Sequence, residues 1–263
     1  MRLIYPADTF SPKVVDEVYA DEYAAAFDAG FSVSLFNFDE FQTGRFLLFP
    51  PTEPGEDVLY RGWMMSGTDY SRFHQVVTSL GAHLLTSPDA YLLCHHLPRW
   101  YSQLEQFTAE TRFYPEDANI TKDLEAAGWT GCFLKDYVKS LSTDGGSVVR
   151  DLASIAKVIT KMRKYRGQIE GGLCARRLED YDVSTERRFF VYRGQPFGDG
   201  IDVPPPVFAA ASVIASPFFT VDVALRTDGV LRIIELGDGQ VSDLKHWSGH
   251  NFLRILSDRD TSN

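Results

Sequence analysis

The segment Phe219–Gln240 restricts the fold of this chain more than any other part of it. Two apolar runs, Phe218–Leu225 and Val230–Leu236, flank Thr227-Asp228-Gly229, a turn sequence that closes an antiparallel hairpin. Asp222 interrupts the first run and Glu235 ends the second, so the turn can bring two carboxylates to one end of the hairpin. A carboxylate buried in an apolar strand is costly unless it is partnered. Two hard oxygen donors, with Asp238 or Gln240 just beyond, suit Mg²⁺ shared with phosphate oxygens. Equally, Asp222 can be satisfied by backbone N–H groups and Glu235 by water; the hairpin alone leaves both readings open.

Upstream, short apolar runs alternate with longer periodic ones. Leu3–Tyr5 reads as a strand, Pro12–Ala29 as a helix ended by Gly30, and Phe31–Phe38 as a second strand. Val58–Tyr60, a helix over Asp69–Leu80 closed by Gly81, and a short strand at His83–Leu85 follow. This β-α-β-β-α-β order predicts an α/β lobe with a largely parallel sheet. The middle of the chain reads as a helix at Thr121–Ala127, a strand at Gly131–Lys139 and a helix at Asp151–Tyr165. Strands at Leu173–Leu178 and Arg187–Tyr192 precede the hairpin. Pro204-Pro205-Pro206 reads as a stiff connector, and His95-His96 as a partly buried pair on a helix.

The length of 263 residues predicts one large domain or a few subdomains. With 26 Lys and Arg against 36 Asp and Glu, the net charge of −10 offers no general positive field for a nucleic-acid backbone. Three widely spaced cysteines predict reduced thiols. The absence of a signal-like start or an 18-residue apolar run predicts a cytoplasmic protein without membrane contact.

Two further segments carry chemistry-bearing residues. In Phe133–Ser140, period-two alternation puts Lys135, Tyr137 and Lys139 on one face, ahead of the polar loop Ser142–Ser147 with Gly145-Gly146. Two ammonium groups beside N–H-rich glycines can cradle a triphosphate, although no Walker A spacing occurs and exposed lysines on a strand are common. Cys174–Asp180 reads as a strand running into a connector, and Ser184–Val191 as a strand whose start carries Glu186, Arg187 and Arg188. Arginine forks match carboxylate or phosphate oxygens, but surface ion pairing explains any one of these charges as well.

Taken in order, these segments resemble the ATP-grasp superfamily, most closely its R2K clade, over roughly residues 58–247. Phe133-Leu134-Lys135 resembles the lysine strand, Asp144–Ser147 the glycine-rich flap, and Arg176–Glu179 the adenine hinge. Glu186-Arg187-Arg188 resembles the acid-x-Arg strand start, while Asp222 and Glu235 match the metal-binding pair. Tyr60-Arg61-Gly62, the Lys135/Lys139 pair and Glu235–Ser242 point to R2K. One departure stands out: Gly237 occupies the position where most of these enzymes carry asparagine, so Asp238 or Gln240 must supply the second-metal contact or one ion is lost.

The resemblance implies an α/β (α+β) ATP-grasp fold with a pre-ATP-grasp lobe at 1–86, a lysine-bearing subdomain at 87–170 and a metal-bearing subdomain at 171–263. It implies ATP and Mg²⁺ as cofactors. Lys135, Lys139, Gly145, Gly146, Arg177, Leu178, Glu179 and Glu186 would hold the nucleotide, and Asp222, Glu235 and Asp238 the metal. Arg61, Lys139 and Arg188 would serve the reacting carboxylate or acyl phosphate. The implied reaction joins a small-molecule or peptide carboxylate to an amine through an acyl phosphate. Two other activities stay open: an ATP-binding assembly factor without turnover, and a kinase-like transfer that stops at the phosphorylated product.

Overall fold

The computed structural model describes residues 1–138, 146–167 and 169–257, and the chain forms two compact units. The first comprises Met1–Leu92, Arg188–Val221 and Gly237–Asn263; the second comprises Leu93–Arg187 and Asp222–Leu236.

In the first unit, β1 (Arg2–Pro6), α1 (Ala20–Asp28), β2 (Ser32–Phe36), α2 (Phe38–Gln42), β3 (Asp57–Tyr60), α3 (Gly67–Ser79) and β4 (His83–Leu84) follow in order, with α4 (Pro88–His95) closing the run. The sheet order is β2-β1-β3-β4 with every pair parallel, as the alternation of apolar runs predicts. All five residues of β1 are buried, which suits a central strand covered on both faces. In α3 the Ser66 hydroxyl accepts from the Asp69 N–H at 3.1 Å, while Tyr70, Phe73 and Val77 point one buried stripe at the sheet.

The predicted helix over Pro12–Ala29 is shorter. Asp16 accepts from the Val18 N–H and starts a single 3-10 turn at Glu17–Tyr19, from which α1 begins. His95 and His96 do not share a helix: His95 ends α4, and His96 stands before α5 (Leu97–Leu104), whose second residue is a proline.

The second unit adds β5 (Thr111–Tyr114), α6 (Ile120–Ala126), β6 (Cys132–Asp136), β7 (Val148–Val149), α7 (Ile155–Arg166) and β8 (Leu173–Arg177). Its antiparallel sheet has the order β5-β8-β6-β7, with Phe133 opposite Arg176 and Lys135 opposite Cys174. A core of Ile120, Leu124, Leu134, Leu152, Met162 and Leu173 lies beneath it.

The remaining elements are β9 (Tyr181–Tyr192), β10 (Gln195–Phe197), α8 (Pro205–Val213), β11 (Phe218–Arg226), β12 (Leu231–Asp238) and α9 (Gly249–Ser257). Their sheet has the order β10-β9-β11-β12, and the chain passes from one unit to the other within α4, β9, β11 and β12. The proline run is not a connector. Pro204 is the N-cap of α8 and two prolines fill its first turn, where the missing N–H costs nothing. The hairpin turn forms as predicted, with the Arg226 N–H donating to Val230 O and the Gly229 N–H to Arg226 O, both at 2.8 Å. All three cysteines are buried free thiols, and no helix among the described residues is long and apolar enough to cross a membrane.

Candidate functional site

A cavity of about 360 Å³ opens in the second unit, walled by Phe133, Val148, Leu178, Val183 and Ile234. Arg176, Arg177 and Glu179 bring charge to its lining. The sequence builds it economically: β6 supplies Phe133, the end of β8 supplies Arg176 and Arg177, and β12 supplies Ile234.

Two residues beyond Phe133, on the same face of β6, lies Lys135, and one residue beyond Ile234 lies Glu235. Lys135 is 4% exposed and its Nζ donates to Glu235 Oε1 at 2.5 Å. The Glu235 side chain is half exposed. Cys174, opposite Lys135, has its thiol pushed up to about 12 by burial, against the opposing charges of Lys135 and Arg176. Asp222 is buried on β11.

Glu179 is held by protein donors. Its Oε1 accepts from Arg226 Nη1 and Arg232 Nη2, each at 3.0 Å, and its Oε2 from the Tyr181 hydroxyl and, at 3.3 Å, from Arg232 Nε. Burial alone would raise this acid, but the hydrogen bonds from Arg232 and Tyr181 and the arginine charges hold it below the usual carboxylate range. Arg232 also donates to the Gln106 and Thr108 carbonyls. Arg176, 8% exposed, donates to Ile234 O at 2.6 Å and Thr108 Oγ1 at 2.7 Å, while Thr108 Oγ1 donates to Ile233 O. The floor of the cavity is thereby fastened to β12. Burial pulls the Arg176 guanidinium below the ordinary arginine range.

The other nucleotide candidates are dispersed. Arg177 is mostly exposed and pairs with Glu110 at 3.0 Å, whereas Leu178 faces the cavity. Glu186 lies on β9 outside the cavity lining. Gly146, with φ +46°, enters β7, which carries the cavity residue Val148. Lys139 and Gly145 lie outside the described residues.

Three candidates belong to the first unit. Arg61 is 1% exposed: Nε and Nη2 grip Glu22 at 2.8 and 2.7 Å, and Nη1 donates to the Gly239 and Ser242 carbonyls. Its guanidinium stacks 4.6 Å from the Phe252 ring. This commits Arg61 to joining α1, β3, the 239–242 turn and α9. Arg188 donates to the Asp243 carbonyl and carboxylate, and its own carbonyl accepts from the Trp247 indole. Asp238 is fully buried: Oδ1 accepts from the Gln240 N–H and Nε2, each at 3.0 Å, and Oδ2 has no hydrogen-bond partner. Burial pushes its pKa up to about 7 against the hydrogen bonds from Gln240 and the charge of Arg61. At Gly237, an added Cβ would meet Ser242 Oγ at 2.7 Å and Thr220 Oγ1 at 2.8 Å, two hydroxyls bonded to each other at 2.9 Å. No side chain fits there without displacing that pair.

Among the described residues, no three His, Cys, Asp or Glu groups form a ready-made metal cluster. The carboxylates of Asp222 and Glu235 are nonetheless the hard-oxygen type that magnesium takes when phosphate oxygens and water complete its shell. Sequence reasoning singled out Arg176 within the hinge but missed Arg226, Arg232 and Glu22. The one available signal was the density of arginine around Glu179 and Asp228, since ion pairs spanning 39 to 53 residues leave no local pattern.

Comparison with known proteins bears on the whole arrangement. Residues 110–256, more than half of the chain, match the ATP-grasp domain, R2K clade family 3, and the chain belongs to that family. Among solved structures it is similar to D-cycloserine synthetase DcsG, at 13% identity and TM-score 0.67, covering 98% of this chain and 99% of that one. It is also similar to D-alanyl-alanine synthetase A from Vibrio cholerae, at 10% identity, TM-score 0.66 and coverage of 100% and 95%. Macrocyclase MdnC from Microcystis aeruginosa, solved with its precursor peptide MdnA, aligns at 12% identity and TM-score 0.60 over 98% and 100%. At these identities the likeness shows the ATP-grasp fold. No curated protein matches.

Proposed function

We propose that the protein is a magnesium- and ATP-dependent ligase that joins a carboxylate to an amine. The observation that carries the reading is the buried Lys135 ammonium, held against Glu235 beside an apolar cavity, in a chain of the ATP-grasp family. In this reading the cavity takes the adenine against Leu178, Phe133 and Ile234, with the Arg177 backbone at its edge. Lys135 faces the phosphates, together with Lys139 and the Gly145-Gly146 flap. Magnesium, when bound, neutralises phosphate charge. Asp222 and Glu235 hold it, and Asp238 offers its unpartnered Oδ2. Glu179, with both oxygens engaged, acts by fixing the hinge to β12; Glu186 is the candidate for the ribose. Arg61 acts as a brace, and Arg188 is left to face the acceptor. The lobe division at 86 and 170 belongs to the same proposal.

The chemistry needs no protein nucleophile. The γ-phosphoryl passes from ATP to a carboxylate oxygen, leaving ADP and an acyl phosphate. The amine nitrogen then attacks the carbonyl carbon, phosphate leaves, and the amine gives up a proton. Positioning and cationic charge supply most of what such a transfer requires. The named activities of the similar structures, two small-molecule synthetases and a peptide macrocyclase, support a small-molecule or peptide carboxylate as acceptor.

A second reading, an ATP-binding factor without turnover, is favoured by Gly237, where the packing of Thr220 and Ser242 excludes a ligating side chain. Calorimetry with ATP and magnesium tests the shared premise. Lys135→Ala should lose more than tenfold in affinity, roughly 1.4 kcal/mol, whereas Lys157→Ala on the exposed face of α7 should change it by less than about twofold. Equal small effects would remove Lys135 from the site.

A further inference from the structure

We propose that the Lys135–Glu235 ion pair is a latch that admits nucleotide and divalent cation only together, so that each alone binds weakly. The inference rests on the nucleotide reading above and deepens it. Lys135 is 4% exposed, and among the described residues Glu235 is its one ion-pair partner, at 2.5 Å. A buried ammonium that loses its carboxylate is strongly disfavoured. Glu235 can therefore turn to a cation only by stranding Lys135. In the same way, Lys135 can turn to a phosphate only by releasing Glu235, a free carboxylate, beside the incoming anion. Both costs vanish when cation and phosphate arrive as one complex, because the carboxylate and the ammonium exchange partners at once. The exposures say which side moves. Glu235, with 45% of its side chain exposed, has room to swing, whereas Lys135 is enclosed within the sheet opposite Cys174. The position of the pair, next to Phe133 and Ile234 in the cavity wall, puts the latch where the phosphates of a cavity-bound nucleotide would lie.

The latch makes a prediction of unusual sign: removing a residue of the site should improve binding of an incomplete ligand. Calorimetric titration of the full chain with ATP in EDTA should show Glu235→Gln binding about tenfold more tightly than wild type, because Lys135 is free to meet phosphate. In magnesium the same variant should bind more weakly than wild type. Asp228→Asn, which removes one negative charge from the turn of the same hairpin, should not tighten binding in EDTA; an equal gain there would reduce the effect to net charge and overturn the latch. Conversely, Lys135→Met should raise affinity for Mn²⁺ without nucleotide, read by electron paramagnetic resonance of the free ion. A wild type that binds ATP in magnesium, with no gain in either variant, would overturn the latch and leave the nucleotide reading standing. A wild type that binds no nucleotide in magnesium would overturn the nucleotide reading and the latch with it.

Discussion

Asp238→Asn should make the protein more stable and a worse enzyme, and its effect on stability should grow with pH. Asp238 is completely buried, one of its oxygens has no partner, and burial raises its pKa from 3.8 to about 7. The sign follows from linkage. Below the unfolded-state pKa the acid is protonated in both states and does not affect the balance. As pH rises toward 7 the unfolded chain ionises while the folded one retains its proton, so stability is lost progressively across that window. By pH 8 the loss reaches roughly 4 kcal/mol at most, because each pKa unit corresponds to about 1.36 kcal/mol. Asparagine keeps the oxygen that accepts from Gln240 and removes the titration. Urea denaturation of wild type and variant near pH 5 and near pH 8 isolates this group, since every other titration cancels in the difference. The advantage of the variant should be about 2–3 kcal/mol larger at the higher pH. A difference that stays the same at both pH values would refute the reasoning. If Oδ2 also serves the metal, turnover should fall by more than about tenfold in the variant.

Three other outcomes follow from named contacts. Arg61→Ala should cost about 3–5 kcal/mol in denaturant titration, because it strands the buried Glu22 carboxylate and two carbonyls; a loss under about 1 kcal/mol would mean that the brace is unimportant. Glu179→Ala should weaken nucleotide binding by about tenfold by unfastening the hinge from Arg226 and Arg232, with Glu179→Gln intermediate; a loss confined to turnover would contradict that role. Gly237→Asn should destabilise the protein by about 1–3 kcal/mol in thermal or urea melts, since its side chain must displace the Thr220–Ser242 hydroxyl pair; a neutral effect would show that the pair yields easily.

Where the sequence was readable, the cause was local. The parallel sheet of the first unit, the hairpin at Asp228-Gly229 and the lysine strand follow from periodicity and turn chemistry within a few residues. Its failures have physical reasons as well. Pro204–Pro206 opens a helix, because proline disrupts a helix interior and not its first turn. Asp16 restarts the chain in a 3-10 turn before α1, shortening a helix whose apolar spacing runs on through Pro12–Ala29. Strands as short as Thr111–Tyr114 and Val148–Val149 hold too few residues for alternation to register, and their pairing is set by β8 and β6. In the site, Lys135 and Glu235 were readable as residue types, each on its own strand, but not as partners of one another. The engagement of Glu179 by Arg226 and Arg232, and of Arg61 by Glu22, depends on partners distant in sequence, and a charge on a strand carries no mark of its eventual partner.

The central claim, ligation through an acyl phosphate, is tested most directly by ADP release from purified protein incubated with magnesium, ATP and pooled carboxylates, with and without pooled amines and amino acids, and with mass analysis of the products. The account predicts ADP formation that depends on both pools, together with a product whose mass is that of acid plus amine less one water. Tight ATP binding without ADP release from any pool, or ADP release that needs no amine and leaves a phosphorylated acceptor, would contradict it.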